Sequence, residues 1–401
     1  MNILFLTVSR IQNIRERGIY TDLMREFVAQ GHNVYIMCPF ERKMKRQTEL
    51  FLSDGVTILG VRTLNIQKTN VIEKGIATLL LEYQFMRAMK RHLNNVPFDL
   101  VLYSTPPVTF NKVIEYVKRK YGATSYLLLK DIFPQNAVDL GMFSKSSIFY
   151  KMFRSKEKTL YRISDQIGCM SPANAKFILD NNPTIDASKV HVNPNSIKIV
   201  PSAAVDQKSW REKFGLPLDR KVFIYGGNLG KPQGLDFLLQ ILDYYKKDKR
   251  LYFVIVGNGT EYAKIERWFA AQQPDNACLM SRLPKEEYDN LVQSCDVGMI
   301  LLNRNFTIPN YPSRLLSYLE YKMPIIAATD LNTDIGVLAE QNGYGLWSEN
   351  GDIEGFAANV ESILRPNNLS QMGQNGYNFL LANYTVEKSY EIIMQKVGSY
   401  V

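Results

Sequence analysis

The sequence predicts an α/β protein made of two Rossmann-like, doubly wound domains. Two observations carry this prediction. Short β-branched runs alternate with longer amphipathic stretches over residues 1–200, and the same alternation starts again at Lys221. Strand–helix alternation predicts a parallel sheet with helices on both faces. The 401 residues, of which 46% are hydrophobic, suffice for two domains with separate cores.

In the first half, four apolar runs and two stretches of helical spacing follow one another. The predicted elements are strand Asn2–Val8, helix Tyr20–Gln30, strand Asn33–Cys38, helix Asn70–Leu93, and strands Leu100–Tyr103 and Ser125–Leu129. The strand at Asn33 is expected to stop at Pro39, because proline cannot donate to a sheet.

The second half repeats the scheme. Its predicted elements are strand Lys221–Tyr225, helix Leu235–Tyr245, and strands Tyr252–Val256, Val297–Leu301 and Ile325–Ala328. We place the domains at 1–203 and 204–385, with a last helix over 386–401 packing back on the first domain. Doubly wound domains bind ligands at the carboxyl ends of their strands, so we expect the two to face each other across a cleft.

Composition limits the function classes. No apolar run approaches the ~20 residues that cross a bilayer, and the first strand lacks the cleavage site of a signal peptide, so we expect a cytoplasmic protein. Cys38, Cys169, Cys278 and Cys295 are widely spaced, as are the three histidines, which favours reduced core cysteines and no metal site.

The positive charge is concentrated in one half. Residues 1–200 hold 28 Lys and Arg against 16 Asp and Glu, whereas the remainder holds 20 against 23, within a net charge of +9. Such an asymmetry predicts an anionic partner for the first half, either nucleic acid or acidic lipid. The absence of any nucleic-acid-binding motif favours lipid.

A basic amphipathic stretch over Met142–Arg162 carries the lipid prediction. Its cations are Lys145, Lys151, Arg154, Lys156, Lys158 and Arg162, against the single acid Glu157. Cations interleaved with large apolar side chains such as Phe149 and Phe153 are typical of a membrane surface. We predict that Lys151, Arg154, Lys156 and Lys158 bind the anionic inner face of the cell membrane; the alternative is a solvated, charged pair of helices.

Three loops could hold a ligand. The first runs from Ser9 to Gly18 and contains three arginines, with Gly18 just before a helix. A glycine lets a ligand approach the backbone, and a helix start attracts anions. Gly18 is therefore a candidate donor-binding residue, although a plain strand–helix turn is the alternative.

The second loop follows the strand at Lys221 and reads Gly226-Gly227-Asn228-Leu229-Gly230-Lys231-Pro232-Gln233-Gly234. Exposed backbone N–H groups together with a lysine suit a diphosphate. The candidate residues are Gly227, Asn228, Lys231 and Gln233. The spacing matches neither GxGxxG nor a P-loop.

The third loop leads into a helix at Pro312-Ser313, with Ser313 as candidate N-cap. Free N–H groups at this start, together with Ser313, Arg314 and Leu315, could bind phosphate. Two turns further on, the carboxylate of Glu320 could accept both hydroxyls of a ribose. The alternative is a capped helix before a strand.

Taken in order, these segments resemble retaining family 4 glycosyltransferases with the GT-B fold, and in particular the fucosaminyltransferase-like enzymes of capsule and O-antigen synthesis. The matching segments cover nearly the whole chain: Leu23–Pro39, Ser104–Pro107, Lys130–Asn136, Ile163–Ser171, Gly226–Gly234, Phe253–Gly259, Ser281–Glu287, Ser294–Val297, Ser313–Glu320 and Met323–Ala327. Three features depart from the wider family: Gln233 stands at the place of a lysine, Gly227 or Asn228 at the place of an arginine, and Pro312 at the place of the first glutamate.

The resemblance implies a UDP-sugar donor of the N-acetylated hexosamine type, a lipid-linked saccharide acceptor, and retention of anomeric configuration. It adds Gly257, Asn258, Arg282 and Leu283 to the donor-binding residues. No DxD triplet is present, so we expect cations and N–H groups, with no metal, to stabilise the leaving diphosphate.

Asp131 and Lys231 are the candidate catalytic residues. Asp131 follows the strand that ends at Leu129, which places it at the carboxyl edge of the sheet; the alternative is a cap or turn residue. Three other functions have weaker support in the sequence. A UDP-sugar 2-epimerase needs carboxylates and a histidine, an NAD-dependent oxidoreductase needs GxGxxG, and a catalytically silent binding protein is conceivable because the first glutamate is missing.

Overall fold

The computed structural model describes residues 1–66, 71–200 and 206–398. These residues form two compact units. Described residues up to Lys198 and from Thr385 onward belong to the first unit, and those from Ile199 to Tyr384 to the second. The predicted division between residues 203 and 204 lies outside the described residues.

Within the described residues, the first unit is built on an eight-stranded sheet. The strands are β1 (Asn2–Leu6), β2 (Asn33–Glu41), β3 (Glu49–Ser53), β4 (Val56–Thr63), β5 (Leu100–Ser104), β6 (Thr124–Leu129), β7 (Gln166–Cys169) and β8 (Val190–Val192). Their order is β3-β4-β2-β1-β5-β6-β7-β8. All neighbours are parallel except β3 and β4, which are antiparallel.

The first unit's helices lie on both faces of this sheet. They are α1 (Ile19–Ala29), α2 (Val71–His92), α3 (Asn111–Tyr121), α4 (Gln135–Asp139), α5 (Ile148–Ile163) and α6 (Pro172–Asn181). The core under α1 takes Phe5, Leu102 and Tyr126 from the strands. Tyr103 points to the opposite face and bonds Ser164, at the end of α5, over 2.7 Å. On that face α2, α3 and α5 pack side by side.

Local sequence explains where these helices begin and end. The Ser147 hydroxyl accepts the Tyr150 N–H at the start of α5. At α6, Ser171 accepts the Asn174 N–H and Pro172 occupies the first turn. Helix α3 ends at Gly122, which has a φ of 73°.

Strand β2 does not stop at Pro39, as the sequence predicts, but continues to Glu41. The reason is its changing neighbours. β1 pairs with β2 only as far as Met37, while β4 pairs with it through Glu41. The Met37 carbonyl accepts the Thr7 N–H on the β1 side of the strand, and Pro39, two residues further on, faces the same side. Because β1 has ended there, no neighbouring strand needs the N–H that Pro39 lacks.

The second unit is built on a six-stranded sheet in which every pair of neighbours is parallel. Its strands are β9 (Lys221–Asn228), β10 (Leu251–Asn258), β11 (Ala277–Met280), β12 (Val297–Leu301), β13 (Ile325–Thr329) and β14 (Gly345–Glu349). Their order is β11-β10-β9-β12-β13-β14.

The helices of the second unit are α7 (Gln207–Lys213), α8 (Leu235–Tyr244), α9 (Tyr262–Gln272), α10 (Lys285–Gln293), α11 (Arg314–Glu320), α12 (Ile335–Gln341), α13 (Ile353–Ile363) and α14 (Asn368–Asn383). Short 3-10 helices occur at Arg42–Met44, Ala187–Lys189 and Lys231–Gln233. Alternating strands and helices around separate cores confirm the predicted α/β class with two doubly wound, Rossmann-like domains.

The last described helix, α15 (Val386–Gly398), belongs to the first unit and packs against α1. The Ser389 hydroxyl donates to the buried Asn193 side chain over 2.8 Å. The end of the predicted helix, residues 399–401, lies outside the described residues. Among the described helices, none combines the length and apolar character that crossing a membrane requires.

Candidate functional site

Two glycine-bearing strand ends lie side by side at the carboxyl edge of the second sheet. Gly227 in β9 pairs with Gly257 in β10, and Asn228 pairs with Asn258. The φ angles of Gly227 and Gly257 are 126° and 153°. A Cβ atom on Gly257 would lie 1.9 Å from the Gly227 carbonyl oxygen. Glycine is therefore required at Gly257, and the edge presents bare backbone to a ligand.

A cavity of about 380 Å³ opens at this edge. It brings together six predicted donor-binding residues: Gly227, Asn228, Gly257, Asn258, Arg282 and Leu283. Lys285 and Tyr288 of α10 also line it, and sequence reasoning missed both. The ring of Tyr288 lies over Gly226, where a Cβ atom would meet its hydroxyl at 2.1 Å. Only the folded structure shows that α10 covers this glycine.

Arg314 lies next to the glycine pair. Its guanidinium carbon stacks 4.4 Å from the centre of the Tyr225 ring, and its Nη2 atom is 3.6 Å from the Cβ position of Gly227. The Nη1 atom is buried and has no hydrogen-bond partner in the described part of the chain. A buried cationic donor without a partner is costly, so this arrangement favours an anionic ligand beside Gly227.

The other predicted residues of this third loop lie around α11. Ser313 occupies the N-cap position, but its side chain caps no helix N–H. Leu315 is fully buried, and its N–H bonds to the Pro312 carbonyl. Glu320 is the last residue of α11 and is partly exposed. Arg314 is thus the predicted residue of this loop that the structure brings against Gly227.

Gln233 and Lys231 have different surroundings. Gln233 is buried, and its Oε1 accepts the Asn228 Nδ2–H over 3.1 Å, which fixes the Asn228 side chain. Lys231 is exposed on the short 3-10 helix and does not line the cavity. The structure therefore places Gln233 behind the loop and leaves the Lys231 amine in solvent.

Asp131 lies at the carboxyl edge of the first sheet, two residues after β6. The Asn136 Nδ2 atom donates to both of its carboxylate oxygens over 2.9 and 2.8 Å. Burial nevertheless raises the pKa of Asp131 to about 6. The neighbouring Lys130 donates to the Asn193 carbonyl over 3.2 Å, and burial lowers its pKa to about 7. Two groups that titrate near neutrality can exchange protons with a ligand.

Gly18 lies in the first unit, before α1. Its φ of 178° is extended backbone, and its N–H donates to Asp22 over 3.1 Å. Two of the loop's arginines also have protein partners: Arg15 pairs with Asp54 over 2.5 Å, and Arg17 donates to the Lys198 carbonyl over 2.9 Å. These contacts shape the turn itself.

Three of the four predicted membrane-binding residues, Lys151, Arg154 and Lys158, line one cavity along α5, and Lys156 lies apart from them. Lys151 and Lys158 are exposed, and Lys156 lies 3.9 Å from Glu82. Arg154 bonds to Glu157 over 2.6 Å and to the Asn181 carbonyl over 2.9 Å. The prediction that Phe153 contacts lipid is wrong, because its ring is buried against Phe133 at 5.0 Å.

Metal-binding side chains are not clustered: in the described residues, no three His, Cys, Asp or Glu side chains are placed to share an ion. All four cysteines are free thiols. Burial raises the pKa of Cys38 to about 11 and that of Cys169 to about 12, so these thiols stay protonated at neutral pH.

Comparison with known proteins relates the second unit to a family of sugar-transferring enzymes. Residues 206–379 match the family model described as glycosyl transferases group 1. The chain is 22% identical over 330 residues to the "Probable glycosyltransferase WbjE" of Pseudomonas aeruginosa, covering 79% of this chain and 78% of that protein. It is 26% identical over 166 residues to WcaI of Escherichia coli K12, named for colanic acid biosynthesis, covering 40% of each.

Solved structures share the fold along the whole chain. Sucrose-phosphate synthase of Thermosynechococcus elongatus superposes with a TM-score of 0.74 at 15% identity, covering 98% of both chains. HepE of Anabaena in complex with UDP superposes with a TM-score of 0.67 at 13% identity, covering 100% of both chains. The chain therefore has the GT-B fold and is a glycosyltransferase, and its second unit contains the stretch that matches the group 1 model.

Proposed function

We propose that this enzyme transfers a sugar from a UDP-sugar to a lipid-linked saccharide during the synthesis of a bacterial surface polysaccharide, with retention of anomeric configuration. The observation that carries the proposal is Arg314. Its buried Nη1 lacks a protein partner, and its Nη2 lies beside the backbone of Gly227. A nucleotide diphosphate supplies the negative charge that this cation lacks.

The cavity beside Arg314 suits the rest of a nucleotide. Its volume of about 380 Å³ falls within the range of small-molecule pockets. Leu283 and the Tyr288 ring offer apolar surface for a flat base, whereas Asn258 and Arg282 offer polar groups. We assign Glu320 to the ribose hydroxyls. UDP is bound in HepE, and UDP-2-fluoro-glucose in the trehalose-6-phosphate enzyme of E. coli, which supports a UDP-sugar donor here. We propose that the sugar is of the N-acetylated hexosamine type.

The reaction needs stabilisation of the leaving diphosphate as the glycosidic bond breaks. A fixed guanidinium and backbone N–H groups supply it without reorganisation. We propose that Arg314 fills this role, that the exposed Lys231 adds a second cation when donor binds, and that no metal ion takes part. The acceptor hydroxyl then attacks from the face that the diphosphate leaves.

Asp131 is the proposed group that orients the acceptor hydroxyl. It stands at the carboxyl edge of the first sheet, with a pKa raised by burial to about 6. A carboxylate with this pKa is ionised at neutral pH and can accept the hydroxyl proton in a hydrogen bond. The acceptor's lipid anchor would place the enzyme at the inner face of the cell membrane.

The proposal is tested by release of UDP. Purified full-length enzyme is incubated with single UDP-sugars and a membrane extract containing lipid-linked saccharides, either in excess EDTA or with magnesium. We expect acceptor-dependent UDP release from one UDP-hexosamine, with rates that agree within about twofold in the two buffers. Complete loss of turnover in EDTA, restored by magnesium, would contradict the metal-free mechanism. A catalytically silent protein would bind UDP and release none from any donor.

A further inference from the structure

The outer surface of the helix layer α2–α3–α5 in the first unit is divided into an apolar part and a basic part. On α2, four large side chains are exposed by 42–65%: Ile76, Leu79, Leu80 and Tyr83. Their spacing of three, four and seven residues places them in one stripe. The next two turns of α2 expose only cations on this side, namely Arg87, Lys90 and Arg91.

Helix α5 shows the same division. At its start, the side chains of Ile148 and Phe149 are 76% and 59% exposed. Beyond them, Lys151, Lys158 and Arg162 are exposed. Within the described part of the chain, none of these three cations has a carboxylate within 4 Å. They are therefore available to an external anion.

Helix α3, between the other two, adds Lys112, Arg119 and Lys120 to the exposed cations. The described acids of the three helices do not balance this charge. Glu82 and Glu157 are buried, whereas Glu73 and Glu115 are only partly exposed and lie 3.1 and 4.0 Å from arginines. The charge on the outer surface of the layer is thus almost purely positive.

The opposite face of the same sheet gives a direct contrast. Helices α1 and α15 expose only two charged side chains in their described residues, Lys388 and Glu391, and these pair with each other over 3.2 Å. Neither helix carries a large exposed apolar side chain. The basic and apolar character therefore belongs to one face of the unit.

Two open cavities deepen this face. One of about 550 Å³ lies between α2 and β4 and is lined by Arg62, Arg87 and Arg91. Another of about 820 Å³ runs along α5 and is lined by Lys158 and Arg162, among others. Clusters of cations in such hollows suit phosphate-bearing headgroups.

The direction of the helices orients the face. In right-handed crossovers between parallel strands, the helices run antiparallel to the strands, so α2 and α5 start at the carboxyl edge of the sheet. Phe153 of α5 packs on Phe133, two residues after Asp131. The apolar starts of α2 and α5 therefore lie at the edge that carries Asp131, and the basic ends lie away from it.

We propose that the α2–α3–α5 layer docks on an anionic bilayer, with the apolar starts of α2 and α5 in the interface and the cations on the headgroups. Docking in this orientation presents the carboxyl edge of the first sheet to the lipid. Docking itself does not depend on the proposed function. Only its consequence, that a lipid-anchored acceptor reaches Asp131, rests on that function. The docking face thus extends well beyond the single segment 142–162.

Flotation of the full-length protein with vesicles tests the charge contribution. Vesicles of phosphatidylcholine with 30 mol% phosphatidylglycerol should bind the protein at low salt, and pure phosphatidylcholine should not. Each cation at an anionic surface is worth about fivefold in partition coefficient. We therefore expect about 25-fold weaker binding for Arg87→Gln/Arg91→Gln and for Lys151→Gln/Lys158→Gln. The control Lys247→Gln/Lys388→Gln removes two exposed charges elsewhere and should change binding less than twofold.

Tryptophan reporters test the orientation. The native tryptophans, Trp210, Trp268 and Trp347, all lie in the second unit. Vesicles of brominated lipid should quench the added fluorescence of Leu79→Trp and of Phe149→Trp, and should leave that of Leu218→Trp unquenched. Leu218 is half exposed in the second unit and serves as the matched control.

Equal vesicle binding by Arg87→Gln/Arg91→Gln and by the control, or no quenching of Leu79→Trp, would overturn the proposal. So would concentration-dependent dimerisation, or binding to single-stranded RNA, that these variants abolish while vesicle binding persists. Thermal stabilisation by UDP is measured on the same variants. A variant that loses vesicle binding but is still stabilised by UDP has lost membrane docking alone. If UDP fails to stabilise the wild type, the proposed donor is wrong, and the docking proposal is unaffected.

Discussion

The two units share a parallel α/β scheme but differ in the chemical groups at the carboxyl edges of their sheets. In the second unit the edge is bare backbone at Gly227 and Gly257, beside the stacked guanidinium of Arg314. In the first unit it carries Lys130 and Asp131, whose pKa values burial moves to about 7 and about 6. A permanent cation suits a ligand with permanent charge, whereas groups that titrate near neutrality suit a ligand that gains or loses a proton.

The largest expected effect is a loss of stability at the carboxyl edge of the second unit's sheet. In Gly257→Ala, the Cβ atom would meet the Gly227 carbonyl at 1.9 Å, at a φ of 153°. We expect the free energy of unfolding to fall by about 3 kcal/mol. Urea titration followed by tryptophan fluorescence measures this, because all three tryptophans report on the second unit.

Gly215→Ala is the matched control. Gly215 also has a positive φ, of 65°, but its Cβ position is open. The expected loss is about 1 kcal/mol, from the backbone conformation alone. Equal losses in the free energy of unfolding would mean that the backbone at Gly227 and Gly257 moves aside for a side chain. The carboxyl edge of the second unit would then not be fixed as bare backbone, and the contrast with the first unit would not hold.

Asp131→Asn tests the first unit's edge through activity. The variant keeps the shape and loses the ionisable carboxylate, so we expect kcat to fall about 100-fold while the dissociation constant for UDP stays unchanged. In the wild type, kcat should rise with pH through about 6, as Asp131 ionises. Asp139→Asn, in the following short helix, should keep kcat within twofold. A near-normal kcat of Asp131→Asn on a verified acceptor would remove its proposed role.

The same variant tests the first unit through stability, with a smaller effect. The folded-state pKa of Asp131, about 6, lies above its ordinary value of 3.8. The ionised carboxylate therefore destabilises the fold fully above pH 6, and this penalty disappears as the pH falls below about 4. Asp131→Asn should raise the free energy of unfolding of the first unit by about 1–2 kcal/mol at pH 7 and leave it unchanged at pH 4. Urea titrations followed by circular dichroism at both pH values measure the difference; a less stable variant at pH 7 would contradict burial as the cause.

Much of the fold was predictable because apolar strands and helical spacings alternate. The predicted strand ends were wrong where pairing with a neighbouring strand determines how far a strand continues. The strand predicted to end at Tyr225 continues as β9 to Asn228, because β10 pairs with it through Asn258. The β3–β4 hairpin was missed, although Asp54-Gly55 between two apolar runs is a strong turn signal. Both residues have the positive φ that such a turn requires.

The candidate site was predictable only in part. The glycines and Arg314 stand in recognisable loops, whereas Tyr288 reaches Gly226 from α10, and no local pattern indicates that contact. Phe153 was misassigned to the membrane because α5 carries apolar residues around much of its circumference. Phe149 and Phe153 lie four residues apart on the same side of α5. Sequence spacing could not decide that Phe149, at the start of the helix, is exposed whereas Phe153 is buried.

The assignment of the donor diphosphate to Arg314 is tested most directly by calorimetric titration of UDP into wild-type enzyme and Arg314→Gln, with Arg365→Gln as control. Arg365 is an exposed arginine of the second unit away from the cavity. A charge-assisted hydrogen bond contributes about 1.5–3 kcal/mol. We expect Arg314→Gln to bind UDP about 30-fold more weakly, with a melting temperature no lower than that of wild type, because the variant removes a buried unpartnered cation. Arg365→Gln should bind within twofold of wild type. UDP affinity in Arg314→Gln equal to that of wild type would contradict the assignment of the donor diphosphate to this edge.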